Sequence, residues 1–177
     1  NADQLLSGDR NAVMTALRIT GYGSAYDAEV ECPACGERSK QQFNLSELPI
    51  KRLDLSPLSM GANAFETTLP VTDKRVTFKF LTGADEVEIN KLTERKKKSG
   101  QITDNLVTTR LQFALLTVGD VSDKNKIGFF IRNMPAMDSL HLRRYIDSHE
   151  PGIDMKAWMD CPSCLETSEV RMPLGAS

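Results

Sequence analysis

The feature that most constrains this chain is a Cys-Pro-x-Cys tetrapeptide that occurs twice, at 32–35 and at 161–164. The two copies contain all the cysteines of the 177-residue chain: Cys32, Cys35, Cys161 and Cys164. Since a Cys-x-x-Cys turn places two thiolates within reach of one ion, two such turns supply the four ligands of a tetrahedral metal site. Four cysteines leave no position for water or substrate, so we expect the metal to be structural.

The residues on either side of each turn alternate between polar and apolar side chains, as in a β-strand. Strand-like segments flank the first turn at 25–31 and 42–45, and the second turn at 157–160 and 167–172. Each cysteine pair is therefore expected at the tip of a hairpin, which is the arrangement of a zinc ribbon. Gly36, directly after Cys35, suits the left-handed backbone that such a turn often needs.

The sequence alone leaves three other interpretations of the cysteines open. Two disulfides would require an oxidising compartment, and a chain of this length does not need such crosslinks. A redox-active pair requires its first cysteine at the N-terminus of an apolar helix, whereas residues 36–42 are polar and strand-like. An iron–sulfur cluster also accepts four thiolates. We expect one structural zinc ion, because it accounts best for the pattern.

The spacing between the turns determines how the chain is organised. The 125 residues from 36 through 160 far exceed the roughly 15–20 of a compact zinc ribbon, so the metal would join two distant parts of the sequence. We predict a single domain, 1–177, with a zinc clasp formed by residues 25–45 and 157–173. The inserted region, 46–156, is expected to contain a hairpin and helices.

Helix and hairpin patterns alternate along the rest of the chain without the strand–helix–strand repeat of a parallel sheet. A capping-box-like pair, Thr82 and Asp85, begins a predicted helix that ends at Ser99-Gly100. The other predicted elements are a helix from Ser7 to about Gly21, strands at 64–69 and 75–81, a helix capped by Thr103 or Asp104 and extending to Val118, and a helix from Pro135 to His149. Together these patterns predict an α+β fold.

Composition and motifs argue against several functions. The chain has 22 Lys+Arg against 24 Asp+Glu, whereas proteins that bind nucleic acid electrostatically carry a marked basic excess. It lacks the run of about 18 apolar residues that a membrane-spanning helix requires. It also lacks a nucleophile elbow, a phosphate loop and a dinucleotide-binding fingerprint, so we expect no enzymatic activity.

Two polar features are better explained as ordinary surface. The basic run Arg95-Lys96-Lys97-Lys98 is expected at the C-terminus of a helix, where cations complement the helix dipole. The two histidines, His141 and His149, are eight residues apart on one predicted helix, whereas metal-binding pairs on a helix are typically four apart. We therefore expect both to be surface or half-buried side chains.

A series of short motifs resembles one known family. The motifs are LLSGDR (5–10), LRITGYG (17–23), the CPAC turn, Asn44-Leu45, FKFLTG (78–83), FIRNMP (130–135), Asp138 with Leu142-Arg143, the CPSC turn and MPL (172–174). In this order, along nearly the whole chain, they resemble the T4-type bacteriophage baseplate protein family. Members of that family are typically longer at both ends, so the resemblance implies that the start without Met is a fragment boundary or a processed end.

The resemblance implies a non-enzymatic component of the tail baseplate hub, or a factor that assembles it. Its expected partners are other baseplate hub or tail-tube proteins, in the host cytoplasm during assembly or in the virion. The alternative is a zinc-ribbon nucleic-acid-binding or regulatory module that uses Arg38, Lys40 and the run 95–98 on phosphates.

Overall fold

The computed structural model describes residues 2–98 and 106–172, apart from the side chains of Ala2, Lys96 and Lys97. Within these ranges the chain has the predicted mixed α+β class. The helices are α1 (Ser7–Tyr22), α2 (Gly83–Lys98), α3 (Leu106–Ala114), α4 (Lys124–Asn133) and α5 (Ala136–His149). The strands are β1 (Ala25–Glu31), β2 (Arg38–Asn44), β3 (Ile50–Lys51), β4 (Phe65–Thr68), β5 (Arg75–Phe78), β6 (Leu115–Val118), β7 (Gly152–Ile153), β8 (Lys156–Asp160) and β9 (Thr167–Arg171).

The chain forms two compact units, each made of two segments that alternate along the sequence. The cysteine unit consists of Gly8–Lys51 and Pro151–Ser177. The helical unit consists of Asn1–Ser7 and Arg52–Glu150. The prediction that 1–177 behaves as one domain stays a prediction.

Two antiparallel strand pairs build the cysteine unit. β1 pairs with β2 along its whole length, and β8 pairs likewise with β9. The alternating pattern of each strand turns its apolar side chains towards a shared core. That core contains Ala28, Val30, Cys32, Phe43, Leu45, Leu48, Met155, Met159, Cys161, Val170 and Met172. A two-residue ladder between β3 and β7 joins the points where the chain leaves and re-enters the unit.

The start of α1 approaches the β7 segment closely within the cysteine unit. A Cβ atom built on Gly8 would overlap the carbonyl oxygen of Pro151, and one on Gly152 would overlap the backbone of Gly8. Glycine is therefore required at both positions by space, because any side chain would force the backbones apart.

A three-stranded antiparallel sheet, in the order β4-β5-β6, forms the centre of the helical unit. The rings of Phe65, Phe78 and Phe80 lie 4.9–5.9 Å apart in its core, at separations favourable for aromatic pairs. The other buried members of that core are Leu69, Val76, Leu111, Leu115, Val118, Ile127, Ile131 and Leu142.

A buried carboxylate fixes the turn between β4 and β5. Asp138, in the first turn of α5, is 0% exposed. It accepts hydrogen bonds from the backbone N–H of Val71 at 2.8 Å and of Thr72 at 3.1 Å. The Thr72 hydroxyl donates a third bond, at 2.8 Å. Three donors satisfy the oxygens, as burial of such a group requires.

The predicted capping box at the start of α2 is present and includes a salt bridge. The N–H of Thr82 donates to Asp85 at 2.9 Å, and the N–H of Asp85 donates to the Thr82 hydroxyl at 3.3 Å. Lys79 Nζ also donates to Asp85, at 2.7 Å. Burial by itself raises the pKa of Asp85, but the bonds from Lys79 and Thr82 together outweigh it and leave that pKa below its usual value.

The helices predicted from Ser7 and from Pro135, and the two predicted strands that became β4 and β5, are present in slightly different lengths. The helix predicted through Val118 is wrong at its end, because residues 115–118 form β6 and pair with β5. Helix α4 is not among the elements predicted from the sequence. The predicted helix end at Ser99-Gly100, the predicted cap at Thr103 or Asp104, and clasp residue 173 lie outside the described residues.

No helix within the described ranges combines the length and the apolar character needed to cross a membrane.

Candidate metal centre

The four cysteines lie in two turns with the same backbone hydrogen bonds. The first turn, 32–37, connects β1 to β2, and the second turn, 161–166, connects β8 to β9. In each turn the N–H of the first cysteine donates to the carbonyl five residues on, at 2.8 Å and 3.0 Å respectively. The residue four positions on donates back to that cysteine's carbonyl, at 2.8 Å and 2.9 Å. The two turns are therefore equivalent in backbone structure.

The residue after the second cysteine is left-handed in both turns. Gly36 has φ +77° in the first turn, as predicted, and Leu165 has φ +61° at the equivalent position of the second. A leucine in this conformation is strained, because its Cβ crowds the backbone. Its side chain is 84% exposed, so burial does not offset that strain.

The two turns bring the four sulfur atoms into one cluster. Cys32 Sγ lies 3.8 Å from Cys164 Sγ, and Cys35 Sγ lies 3.7 Å from Cys161 Sγ. All four sulfurs lie within 4.8 Å of one another, and the cysteines are free. Cys32 and Cys161 are buried at the core, whereas Cys35 and Cys164 are exposed. Such a cluster could hold a metal ion.

Backbone amides point at several of these sulfurs. The N–H groups of Cys164 and Ser163 lower the pKa of Cys161 to about 7, against a smaller raising effect of burial. The second cysteine of each turn also accepts a hydrogen bond from the amide two residues further on. Glu37 N–H donates to Cys35, and Glu166 N–H donates to Cys164. Amides that donate to sulfur favour the thiolate form, which is the form that binds metal.

Burial and the crowding of the thiols raise the pKa of the second cysteine in each turn. The Glu37 amide lowers the pKa of Cys35, but burial and the three neighbouring sulfurs outweigh it and raise that pKa to about 12. The pKa of Cys164 is also raised: the Glu166 amide lowers it, and burial with the sulfurs of Cys161 and Cys32 outweighs that amide. Four thiolates this close repel one another, and a bound cation removes that repulsion. The donor set thus fits a metal ion.

The backbone amides beside the sulfurs were not predicted from the sequence, unlike the four cysteines. A signal for these donors is present in the chain, because Glu37 and Glu166 both follow the second cysteine by two residues. Repetition of that spacing in two distant segments is consistent with a repeated turn.

The other polar candidates lie outside this cluster. His141 and His149 are half-buried, as predicted, and their rings lie 5.8 Å and 4.3 Å from the ring of Tyr145. The described part of α2 extends to Lys98 and includes the run from Arg95, but the predicted helix end lies outside the described residues. Among the residues that the structure describes, neither feature belongs to a group of three or more potential metal ligands.

Comparison with known proteins gives one result. The family model described as T4 bacteriophage base plate protein matches residues 1–174 of the chain. Comparisons with curated proteins and with solved structures gave no significant match. The match covers both cysteine turns and nearly all of the sequence between and around them. The chain therefore belongs to the family of T4 bacteriophage base plate proteins.

Proposed function

We propose that this chain is a non-enzymatic component of the phage tail baseplate hub, or a factor that assembles it, and that it acts by binding other proteins. The observation that carries the proposal is the family match over residues 1–174. A baseplate is built from protein–protein contacts, so a member of this family is expected to present binding surface rather than a catalytic cleft. Its partners would be other hub or tail-tube proteins, met in the host cytoplasm during assembly or in the virion.

We further propose that Cys32, Cys35, Cys161 and Cys164 bind one structural zinc ion and form a zinc-ribbon-like clasp. Four sulfurs held about 2.3 Å from one ion at tetrahedral angles lie about 3.8 Å from each other. Two Sγ–Sγ distances in the cluster, 3.7 Å and 3.8 Å, agree with that value. Four thiolates fill the coordination shell, so the ion would stabilise the fold and would not activate a water molecule.

The clasp would stabilise the folded state of the cysteine unit. The cysteine unit is assembled from two segments that are distant in sequence, and small strand pairs of this kind are marginal alone. Zinc binding contributes about 10–16 kcal/mol to the folding of zinc-finger peptides near neutral pH. A contribution of that order is enough to keep the two strand pairs together as a rigid surface for partners.

Metal analysis tests the clasp. Protein purified without chelator should contain about one zinc per chain, and Cys35→Ser or Cys161→Ser should lose most of it. Ser163→Ala is the matched control, because it changes the same turn and keeps all four thiols. Protein with no metal and with two disulfides would refute the clasp, and iron instead of zinc would refute the choice of ion.

Pull-down tests the function. The chain would be co-expressed with the other tail proteins of its phage and then isolated. Retrieval of hub or tail-tube proteins is expected. Retrieval of nucleic acid or host polymerase alone would instead favour the regulatory module, for which Arg38 and Lys40 were candidates. That alternative gains no support from the first strand pair, where Arg38 lies 3.4 Å from Glu31 and is partly neutralised by it.

A further inference from the structure

An open groove of about 400 Å³ lies between β1 and β9 of the cysteine unit. It is lined by three consecutive residues of each strand together with Pro33; these are Glu29, Val30, Glu31, Glu169, Val170 and Arg171. Both strands belong to two-stranded sheets, so each has one edge without a strand partner among the described residues. We call this feature the β1–β9 groove.

The hydrogen-bond pattern shows which backbone groups face away from the existing partner strands. Cys32 N–H donates to Glu37, and Met172 N–H donates to Met155. In an antiparallel pair, residues whose backbone groups face the partner alternate with residues whose groups face outward. Counting back from Cys32 along β1 and from Met172 along β9, the outward groups belong to residues 29, 31, 169 and 171. These four residues also line the groove.

The side chains along the groove are mostly acidic. Glu29, Glu31 and Glu169 carry three negative charges against the single positive charge of Arg171. Each glutamate has a cation on its own strand pair: Arg38 lies 3.4 Å from Glu31, Lys156 lies 3.9 Å from Glu169, and Lys40 is opposite Glu29 in the strand register. Exposed ion pairs of this kind are weak, so a partner's cation can replace them. The groove is thus complementary to a positively charged segment.

Acidic side chains on an exposed edge also disfavour one possible occupant. If β1 paired with β1 of a second copy, glutamates of one copy would lie against glutamates of the other, and like charges across a strand pair are destabilising. A basic strand from a different protein meets no such repulsion. The same charges therefore reject a second copy and accept a basic partner.

We propose that the β1–β9 groove binds an extended, basic segment of a partner protein, which pairs with the outer edge of β1 as an added strand. Main-chain hydrogen bonds to residues 29 and 31 provide the docking, as in other cases of strand addition. Lysine or arginine side chains of the segment lie beside Glu29 and Glu169. This inference rests on the proposed function and specifies the chemistry of one partner.

The test uses the full chain with zinc supplied and a blocked octapeptide of alternating lysine and threonine as the probe. Nuclear magnetic resonance should show slower hydrogen exchange for the N–H groups of Glu29 and Glu31 when the peptide is added. The N–H of Val30 should not change, because it already faces β2. A peptide with the same lysines and a central proline should lose most of the affinity. Equal binding of both peptides, or no protection at Glu29 and Glu31, would overturn the proposal.

Charge variants test the role of the glutamates in the β1–β9 groove. Glu29→Lys should weaken binding of the lysine peptide about tenfold at low salt, while Glu94→Lys, an exposed site on α2, should leave it unchanged. Because Lys40 lies opposite Glu29, Glu29→Gln provides a milder variant, with a loss of about threefold. Equal losses from the Glu29 and Glu94 variants would show that only overall charge matters, which overturns the proposal.

The same variants separate this inference from the proposed function. If Glu29→Lys retrieves the phage tail proteins as well as the unchanged chain does, the proposed function stands and the groove is wrong. If neither protein retrieves any tail protein, the proposed function itself fails. Loss of one tail protein from the Glu29→Lys pull-down, with retention in the Glu94→Lys control, is the result that we expect.

Discussion

Substitutions at the two equivalent left-handed positions, Leu165 and Gly36, should change the stability of the cysteine unit in opposite directions. Leu165→Gly should stabilise the cysteine unit and Gly36→Ala should destabilise it. The left-handed conformation costs a residue with a Cβ about 1–2 kcal/mol. Glycine avoids that cost, but it also makes the unfolded chain more flexible, which lowers the free energy of unfolding by about 0.5–1 kcal/mol.

Steric clash and loss of buried surface contribute little to the effect of these two substitutions. A Cβ on Gly36 has no atom within 4 Å, so alanine introduces no clash. Leu165 is 84% exposed, so its removal loses little burial. We therefore expect a net change of about 0.5–1 kcal/mol for each variant, positive for Leu165→Gly and negative for Gly36→Ala.

Urea unfolding at saturating zinc, followed by tryptophan fluorescence, measures the effect. Trp158 is the one tryptophan of the chain and lies in β8, so its signal reports on the cysteine unit. With a slope of about 2 kcal/mol per M, the midpoints should shift by about 0.25–0.5 M. A lower midpoint for Leu165→Gly, or an unchanged one for Gly36→Ala, would refute the argument from backbone strain.

Three further predictions concern stability. Because its partners hold the pKa of Asp85 below the usual value, Asp85 should stabilise the helical unit above its unfolded-state pKa of about 4 and lose that contribution as the pH falls through its lower folded-state pKa. Urea unfolding followed by far-ultraviolet circular dichroism, which reports on the helices of this unit, should give midpoints that fall less steeply from pH 7 to pH 3 in Asp85→Asn. Asp138→Ala should cost about 3 kcal/mol because it leaves buried donors unpaired, whereas Thr72→Val, which removes one donor, should cost about 1 kcal/mol in the same assay. Gly8→Ala should cost about 1–3 kcal/mol through its overlap with the facing backbone, while Gly21→Ala, which meets no atom within 4 Å in the same helix, should be neutral or stabilising by up to about 1 kcal/mol in thermal unfolding.

Local patterns were sufficient for the elements beside the cysteines. Alternation predicted strand structure on both sides of each turn, and helical spacing predicted α1 and α5. The apolar residues of segment 115–118 continue the spacing of α3 and therefore predict a helix there. Its pairing with β5 depends on residues about 40 positions away, and local periodicity carries no information about such contacts.

Helix α4 could have been recognised. Asp123 caps it by accepting a hydrogen bond from Lys126 N–H at 2.9 Å, and Ile127 and Ile131 follow at helical spacing on its buried side. An N-cap followed by this spacing is a standard start signal. The contact of Asp138 with the β4–β5 turn had no such signal, because it joins residues 66 and 67 positions apart.

The candidate site was predictable to the level of its four side chains and no further. Spacing identified the two turns, but the Sγ–Sγ distances and the amides that point at the sulfurs depend on how the turns approach each other. The β1–β9 groove was also beyond sequence, since alternation tells which face of a strand is buried and not which edge is left unpaired.

The division of the cysteine unit into two segments has a consequence for synthesis on the ribosome. Cys32 and Cys35 leave the ribosome 129 and 126 residues ahead of Cys161, a delay on the order of 6–25 s at 5–20 residues per second. During that interval the helical unit can be completed, while the first two thiols wait for the other two. The nascent chain therefore holds two ligands that any competing thiol-binding metal can reach. Once Cys164 has emerged, four sulfurs replace two, so the cluster can close only after the whole inserted region has been synthesised.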